Sequence, residues 1–539
     1  MEEELKLLLS YGYFPTKELP PCFSTLSFAD YYLKNYQKFS NLKKASNCIT
    51  ITAPRVGLDR KVIKIPNPYH YGKICELIAK HWLTIERKLK KSNNAFSSPK
   101  LEESFIKEPL STFKDFVNSS FNDSSTFSHF LKTDISKFYP SIYTHSIAWA
   151  LDGKELAKQE RFTGTKSLGS QIDDLVRKMQ DDQSVGIPIG PFVSQIISEI
   201  INSEIDTLHK DSLNCRFFQA RFIDDRHMYF TNISDAEKAI INLQSILREY
   251  QLGINNEKTK ITEIPNLLVP EWKIKLQNFN FRHVYKYENE TDENYFSRKA
   301  TVQNTDFTNY FNLVFALNKE FPSEYVFKYG IKHIQNIRIL KLNWSLVESQ
   351  LLKSTLKEPS VIPDVLLILL KNKEKINNTK LTEFANFFID IHVDKSFDFE
   401  TIWGLWLCNV FNIKIQQKVC EKLPKINDPF SRLLIQHLES KSLLSSKIDS
   451  KSWTDSVCSN DLLSTTWLFY YEIAVKGYFL SNFDYLNSVE GNDYFKKMKE
   501  NSVSFFNDSY EYPEKEIKYK VKTETQIESD YDIGTIDFY

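Results

Sequence analysis

The sequence has no net charge, no cysteine pair at zinc-ligand spacing and no long apolar run, and each absence excludes a class of protein. Lys+Arg and Asp+Glu both number 69, for a formal net charge of +0. Non-specific nucleic-acid coats are usually basic, so a balanced charge argues against one, although a basic channel offset by an acidic region elsewhere stays compatible. The seven cysteines, at 22, 48, 75, 215, 408, 420 and 458, are scattered and odd in number. They read as free thiols of a reducing cytosol, not as a disulfide framework or a zinc fold. Met1-Glu2-Glu3-Glu4 is acidic where a secretory signal would be basic. The apolar run at 365–370 is far too short to cross a bilayer. A cytoplasmic protein with no membrane partner is expected.

What is present is a chain of 539 residues, 42% hydrophobic and 26% charged. That is the composition of a soluble globular protein, and the length calls for two or three domains. The 27 Tyr and 40 Phe supply core and, at some positions, platforms on which bases could stack.

The stretch that carries chemistry is Arg221-Phe222-Ile223-Asp224-Asp225-Arg226-His227-Met228-Tyr229-Phe230. Two aromatic, apolar runs flank adjacent carboxylates, the pattern of a tight β-hairpin with the acids at its tip. Two carboxylates within ~4 Å repel by roughly 1–4 kcal/mol, depending on the effective dielectric. A divalent cation with oxygen ligands offsets that repulsion, and Mg²⁺ takes one or two carboxylates together with substrate phosphates. Asp173-Asp174 and Asp181-Asp182 are also paired. They lie in polar surroundings and read as solvated surface.

Before this stretch, residues 48–66 alternate as a β-hairpin, with Ile49 and Ile51 opposite Val62-Ile63-Lys64-Ile65 and a turn near Gly57. Arg60 and Lys64 share one face of its second strand. Residues 69–91 read as a helix with a basic end. Phe130-Leu131-Lys132-Thr133-Asp134 is a strand that leaves Asp134 at its end, followed by Phe138 and Tyr139. Gly186-Ile187-Pro188-Ile189-Gly190-Pro191 opens a helix over 194–208 with apolar positions at helical spacing. A helix follows the hairpin over 234–250, then a turn through Asn255 and Lys258 into another strand. Strands and helices in this order make an α+β domain.

Polar residues 286–302 are read as a linker. From 303 to 500 helical segments follow one another, spaced like stacked helical hairpins of the HEAT-like, helical-repeat kind. Residues 501–539 form an acidic, tyrosine-bearing tail.

Asp134 after a strand, the Gly186–Gly190 turn before a helix, Asp224-Asp225 in a hairpin and Asn255 with Lys258 come in the order and spacing of the palm motifs of reverse transcriptases. The chain resembles that family over roughly residues 50–270. The stretches Thr133-Asp134-Ile135-Ser136-Lys137-Phe138-Tyr139-Pro140 and Ile65-Pro66-Asn67-Pro68 are similar to those of the bacterial antiphage-defence reverse transcriptases of the abortive-infection, AbiK-like, and related groups. The resemblance implies a fingers-palm domain over 1–285 and an all-α domain over 303–500.

It also implies two Mg²⁺ ions, with Mn²⁺ as an alternative, held by Asp134, Asp224, Asp225 and Ile135. By the same resemblance Tyr139 crowds the nucleotide 2′-position and favours dNTPs, and Arg60 and Lys64 hold the triphosphate. Gly190 and Ser194 shape the nucleotide floor and primer side, and Lys258 stands near the leaving pyrophosphate. DNA synthesis is implied, either template-independent and primed by a protein hydroxyl, leaving the DNA product covalently attached, or copied from a dedicated partner non-coding RNA. Tyr531 and Tyr539 of the tail are the candidate priming residues, and a homo-oligomer is expected. The rival reading is a non-catalytic scaffold that binds nucleic acid or senses phage.

Four positions depart from the family pattern. Phe222 replaces a tyrosine and Ile189 stands where glutamine is frequent. Glu199 stands where asparagine is common, and Arg226 is placed to pair with the carboxylates.

Overall fold

A computed structural model of the chain describes residues 1–38, 44–57, 59–107, 113–163, 166–264, 269–449, 453, 461–478 and 489–519. Helix α1 (Glu2–Tyr11) buries Leu5, Leu8 and Leu9. The predicted fingers hairpin is present as β1 (Ile49–Pro54) and β2 (Arg60–Ile65), antiparallel, with Ile49 opposite Ile65 and Ile51 opposite Ile63. Alternation sends Ile49, Ile51, Ile63 and Ile65 to the core and leaves Arg60, Val62 and Lys64 on the other face. Pro66 and Asn67 end the hairpin. The Asn67 side chain accepts the Tyr69 N–H at 3.1 Å and caps α2 (Pro68–Lys80), which has proline in its first turn.

The palm is a four-stranded antiparallel sheet. Its strands are β3 (His129–Thr133), β4 (Phe217–Phe222), β5 (Asp225–Phe230) and β6 (Lys260–Glu263), in the spatial order β4-β5-β3-β6. Two helices cover it, α3 (Phe192–Ser212) and α4 (Ile233–Glu249), close to the spans the periodicity predicts. Asn232 caps α4 by accepting the Asp235 N–H at 2.9 Å.

The rest of the chain is helical, so the fold is α+β with a large all-α portion. The stretch 286–302 is not an extended linker. Thr291 caps α5 (Asp292–Glu320), a 29-residue helix that begins inside it. Successive helices then pack mainly on near neighbours in sequence, through α6 (Asp398–Phe411) and α7 (Trp467–Lys476). No helix among the described residues is long and apolar enough to cross a membrane. The tail tyrosines Tyr531 and Tyr539 lie outside the described residues. Tyr512, in the same predicted tail, packs on the body, its hydroxyl accepting the Trp406 indole N–H at 3.1 Å.

While the sheet's own apolar residues pack in two smaller clusters around Met228 and around Phe222, the fingers hairpin, α3 and the helical portion share one hydrophobic core, which runs from Leu5 to Phe506. The C-terminal segment closes it. Ser24 N–H donates to Phe505 O at 2.9 Å, Asn507 N–H donates to Cys22 O at 2.7 Å, and Phe505 sits among Tyr13, Phe14, Phe28 and Trp467. Glu472 of α7, fully buried, receives the Phe505 N–H at 2.6 Å and the Ser504 hydroxyl at 2.8 Å. Burial outweighs those bonds and lifts its carboxyl to about 7. The native state therefore binds more protons than the unfolded one between the ordinary glutamate value and about 7, and stability falls as pH rises through that window. Glu472→Gln is expected to melt with the native protein at the acid end. Above pH ~7 the variant is expected to be the more stable by roughly 3 kcal/mol, read from melting curves across the window.

Candidate active site

The sheet register brings the three motif carboxylates together. Strand β3 pairs with β5 so that Thr133 lies opposite Arg226, and one step further sets Asp134 beside Asp225. Strands β4 and β5 pair with Phe222 opposite Asp225, which leaves Ile223 and Asp224 as a two-residue turn. Asp224 therefore stands at the tip and Asp225 opens the returning strand. The turn containing Asn255 docks on the same corner: Ser136 N–H donates to Gly253 O at 2.9 Å and Asn255 N–H to Asp134 O at 2.7 Å. It delivers Lys258, whose Nζ lies 2.7 Å from Asp134 Oδ2.

The turn is strained. Ile223 has φ of +53°, a left-handed conformation in which a β-branched side chain is an outlier. Lys137, three residues after Asp134, is also left-handed at +44°. Such strain persists only where surrounding bonds over-determine it, and it clusters at functional sites.

Charge is concentrated here. The Asp224 carboxyl is held well above the ordinary carboxylate range, first by burial, then by the charge of Asp134 and that of Asp225. Asp134 is 5% exposed, and among the described residues its Oδ1 is buried without a hydrogen bond. Burial opposes the Lys258 charge, but Asp134 outweighs it and raises the ammonium above its usual value. No group of three His, Cys, Asp or Glu side chains among the described residues is already gathered in ligand geometry. The donor set is nonetheless all oxygen, with an unsatisfied buried carboxylate oxygen, and it fits a hard divalent cation.

On the nucleotide side, Tyr139 is half-buried, and its phenol receives the Ser198 hydroxyl at 3.2 Å. Burial, with the Glu199 and Asp224 charges behind it, pushes that phenol up. Gly190 has φ of +130°, and a Cβ there would meet Ile63 Cγ2 at 3.1 Å, so only glycine lets this turn lie against the fingers. Lys64 N–H donates to Ile189 O at 2.8 Å and fixes β2 beside it.

Other expected residues stand elsewhere. Ser194 is fully buried and its hydroxyl has no hydrogen-bond partner among the described residues, so it does not line the open face. The Ile135 side chain is core, 2% exposed, and its backbone bridges to Ile254. Arg60, expected on the triphosphate, gives two bonds of 2.8 and 2.7 Å to the Glu400 carboxylate of α6, and its guanidinium lies 3.7 Å from the Phe397 ring centroid. Lys64 makes no ion pair among the described residues. Lys64→Ala is accordingly expected to raise the KM for dNTP about tenfold, with melting nearly unchanged, in steady-state incorporation assays. Arg226, placed by the sequence to meet the motif carboxylates, turns inward. It is 1% exposed and bonds Asn202 Oδ1 at 2.8 Å and Asp206 Oδ1 at 3.3 Å.

Sequence reasoning named Glu199 only as a departure from the family pattern and missed Asn202 and Asp206, the residues of α3 that receive Arg226. Glu199, Asn202, Ser203 and Asp206 recur at helical spacing in a helix otherwise rich in isoleucine. That polar stripe was the available signal, and it reads as solvated surface until its arginine partners are seen.

Residues 80–282, the segment that contains this corner, match the family model described as reverse transcriptase (RNA-dependent DNA polymerase). The chain carries a reverse transcriptase domain. The domain indicates an RNA-directed DNA polymerase, and Asp134, Tyr139, Gly190, Ser194, Asp224, Asp225 and Lys258 all fall within it. Arg60 and Lys64 precede the matched residues.

No curated protein matches the chain. Among solved structures it is similar to apo telomerase from Candida tropicalis, at 12% identity over 77% of this chain and 69% of that one, with a TM-score of 0.31. The same telomerase truncated from its C-terminal domain is 14% identical over 44% of this chain, with a TM-score of 0.28. The chain described here spans 55% of that truncated chain. Telomerase from Candida albicans, in complex with a fragment of telomeric RNA, is 13% identical over 64% of this chain and 67% of that one, with a TM-score of 0.27.

Proposed function

We propose that the chain is a DNA polymerase acting in antiphage defence, which joins dNTPs at a centre formed by Asp134, Asp224 and Asp225. The observation that carries this reading is the convergence of the three carboxylates through the β3–β5–β4 register, inside the segment that matches the reverse transcriptase family. The defence role rests on the similarity of the Asp134 and Pro66 stretches to abortive-infection enzymes and on a helical, HEAT-like portion following the palm. When bound, two divalent cations supply activation of the attacking hydroxyl and neutralisation of the leaving pyrophosphate.

The protein's own residues then position and discriminate. Asp134 and Asp224 would hold the cations, with Asp225 in support. Lys258, whose ammonium pairs with Asp134 at 2.7 Å, is placed to meet the phosphates of a nucleotide at this corner. Tyr139 fills the space a 2′-hydroxyl would need. Catalysis of this kind is mostly positioning and charge neutralisation, which a rigid sheet corner supplies.

The test uses the full chain with Mg²⁺ and labelled dNTPs, without added primer or template, beside an Asp224→Asn/Asp225→Asn control. Labelled DNA absent from the control supports the reading. A shift of that product after protease marks a protein primer, and its loss after removal of bound RNA marks a partner RNA as template. If purified protein gives no product with any primer–template pair, yet Asp224→Asn leaves defence intact in cells, the polymerase reading falls and a scaffold takes its place.

A further inference from the structure

We infer that Ser97, Asn202 and the Arg221–Glu199 ion pair are positioning residues, which hold Ile223 in its left-handed conformation and thereby aim Asp224 and Asp225 at Asp134. The inference rests on the catalytic role proposed for those carboxylates and names the support they stand on.

Strand register places Arg221 directly opposite Arg226, two like charges in a cross-strand pair that would destabilise an ordinary hairpin. Both are almost fully buried. Helix α3 answers them with Glu199 and Asp206. Arg221 Nη2 lies 2.8 Å from Glu199 Oε2, Nη1 lies 3.0 Å from Glu199 Oε1, and Nε lies 2.7 Å from Asp206 Oδ2. Burial works against the Arg221 charge, but Asp206 and Glu199 outweigh it and hold the guanidinium charged. The same two arginines keep the Asp206 carboxyl down at about 2 against the pull of burial.

The network ends on the turn. Ile223 N–H donates to Ser97 Oγ at 2.6 Å, and that hydroxyl in turn donates to Glu199 Oε1 at 2.7 Å. Ile223 O receives Arg221 Nη1 at 2.8 Å and Asn202 Nδ2 at 3.1 Å. Both backbone polar groups of the strained residue are thus fixed by groups that are themselves fixed. Ser97 is locked from the other side, because the segment carrying it runs along β4, with Phe96 N–H on Arg221 O at 2.9 Å and Arg221 N–H on Asn94 O at 2.9 Å.

Buried ion pairs are poor sources of net stability, since apolar side chains of equal volume do as well or better. What the pairs supply here is direction. An isoleucine at positive φ relaxes to negative φ unless it is held, and relaxation would swing Asp224, the next residue, off the sheet corner. Glycine takes positive φ without cost. The support should therefore matter when residue 223 is isoleucine and matter far less when it is glycine.

The test measures Mn²⁺ binding to the full chain by electron paramagnetic resonance, for Ser97→Ala in the native background and in an Ile223→Gly background. Ser97→Ala is expected to weaken Mn²⁺ binding about tenfold with isoleucine present and less than about threefold with glycine present. Asn202→Ala is expected to follow the same pattern. Equal losses in both backgrounds would make the network a general packing element and overturn the inference. Should the native chain bind no Mn²⁺ in a manner sensitive to Asp224→Asn, the proposed function fails by itself. Amide exchange at 223–225 then decides the positioning role: faster exchange on Ser97→Ala upholds it, and unchanged exchange overturns it.

Discussion

Asp224→Asn is expected to reduce nucleotide incorporation by about a thousandfold, about 4 kcal/mol of transition-state stabilisation, while raising the melting temperature of the metal-free protein. The two effects have one cause. Asp224 is half-buried between Asp134 and Asp225, and its carboxyl is pushed well above its ordinary value by desolvation and by those neighbours. A charged carboxylate there costs folding energy, of the order of 1–4 kcal/mol for each close like-charge neighbour. Asparagine removes the charge and keeps the shape. Divalent cation should stabilise the native protein and leave the variant unmoved, so the two melting curves converge as Mg²⁺ is added. Calorimetry with and without chelator, beside an incorporation assay, reads both. A variant that melts lower than the native chain in chelator would show that the corner is not under electrostatic stress.

Arg60→Ala is expected to cost about 3–5 kcal/mol of stability with little change in the KM for dNTP. The Glu400 side chain is 1% exposed, and Arg60 is its bidentate partner. Truncation leaves a buried carboxylate alone, which is the expensive way to break an ion pair. On the same seam, Thr52 N–H donates to Asp398 Oδ2 at 2.7 Å, so the fingers hairpin is pinned to α6 at two points. Arg60→Ala combined with Glu400→Gln should recover most of the loss, because the second change removes the stranded charge. Chemical denaturation of the four proteins of this cycle measures the coupling. A large rise in KM without loss of stability would return Arg60 to the triphosphate.

The contrast between Arg60 and Lys64 shows how far the sequence could be read. Alternation along β2 puts both on one face, and that local inference holds. Which of them is free to meet a nucleotide depends on Glu400, 340 residues away, and no periodicity reports such a partner. The same limit applies to Arg226. Two carboxylates, Asp224 and Asp225, precede it in sequence, but its side chain alternates inward to Asp206. Asp134, Asp224 and Asp225 were legible because strand ends and tight hairpins are written in short stretches. The first turns of α5 were misread for another reason. Residues 292–299 bury almost nothing, so the apolar stripe that announces a helix starts only at Ala300. The Thr291 cap was the remaining clue.

The clasp of residues 504–507 on residues 22–27 has a consequence for biosynthesis. Partners 477 positions apart complete the packing around Tyr13 and Phe28, on which the fingers rest. Contacts of such sequence separation form last, because chain closure must come before they contribute. At roughly 5–20 residues per second, this late strap leaves the ribosome about 25–100 s after the N-terminal helix. A nascent chain bearing the complete sheet but lacking the strap lacks its final core layer, so full packing around Tyr13 and Phe28 waits until residues 504–507 have been made.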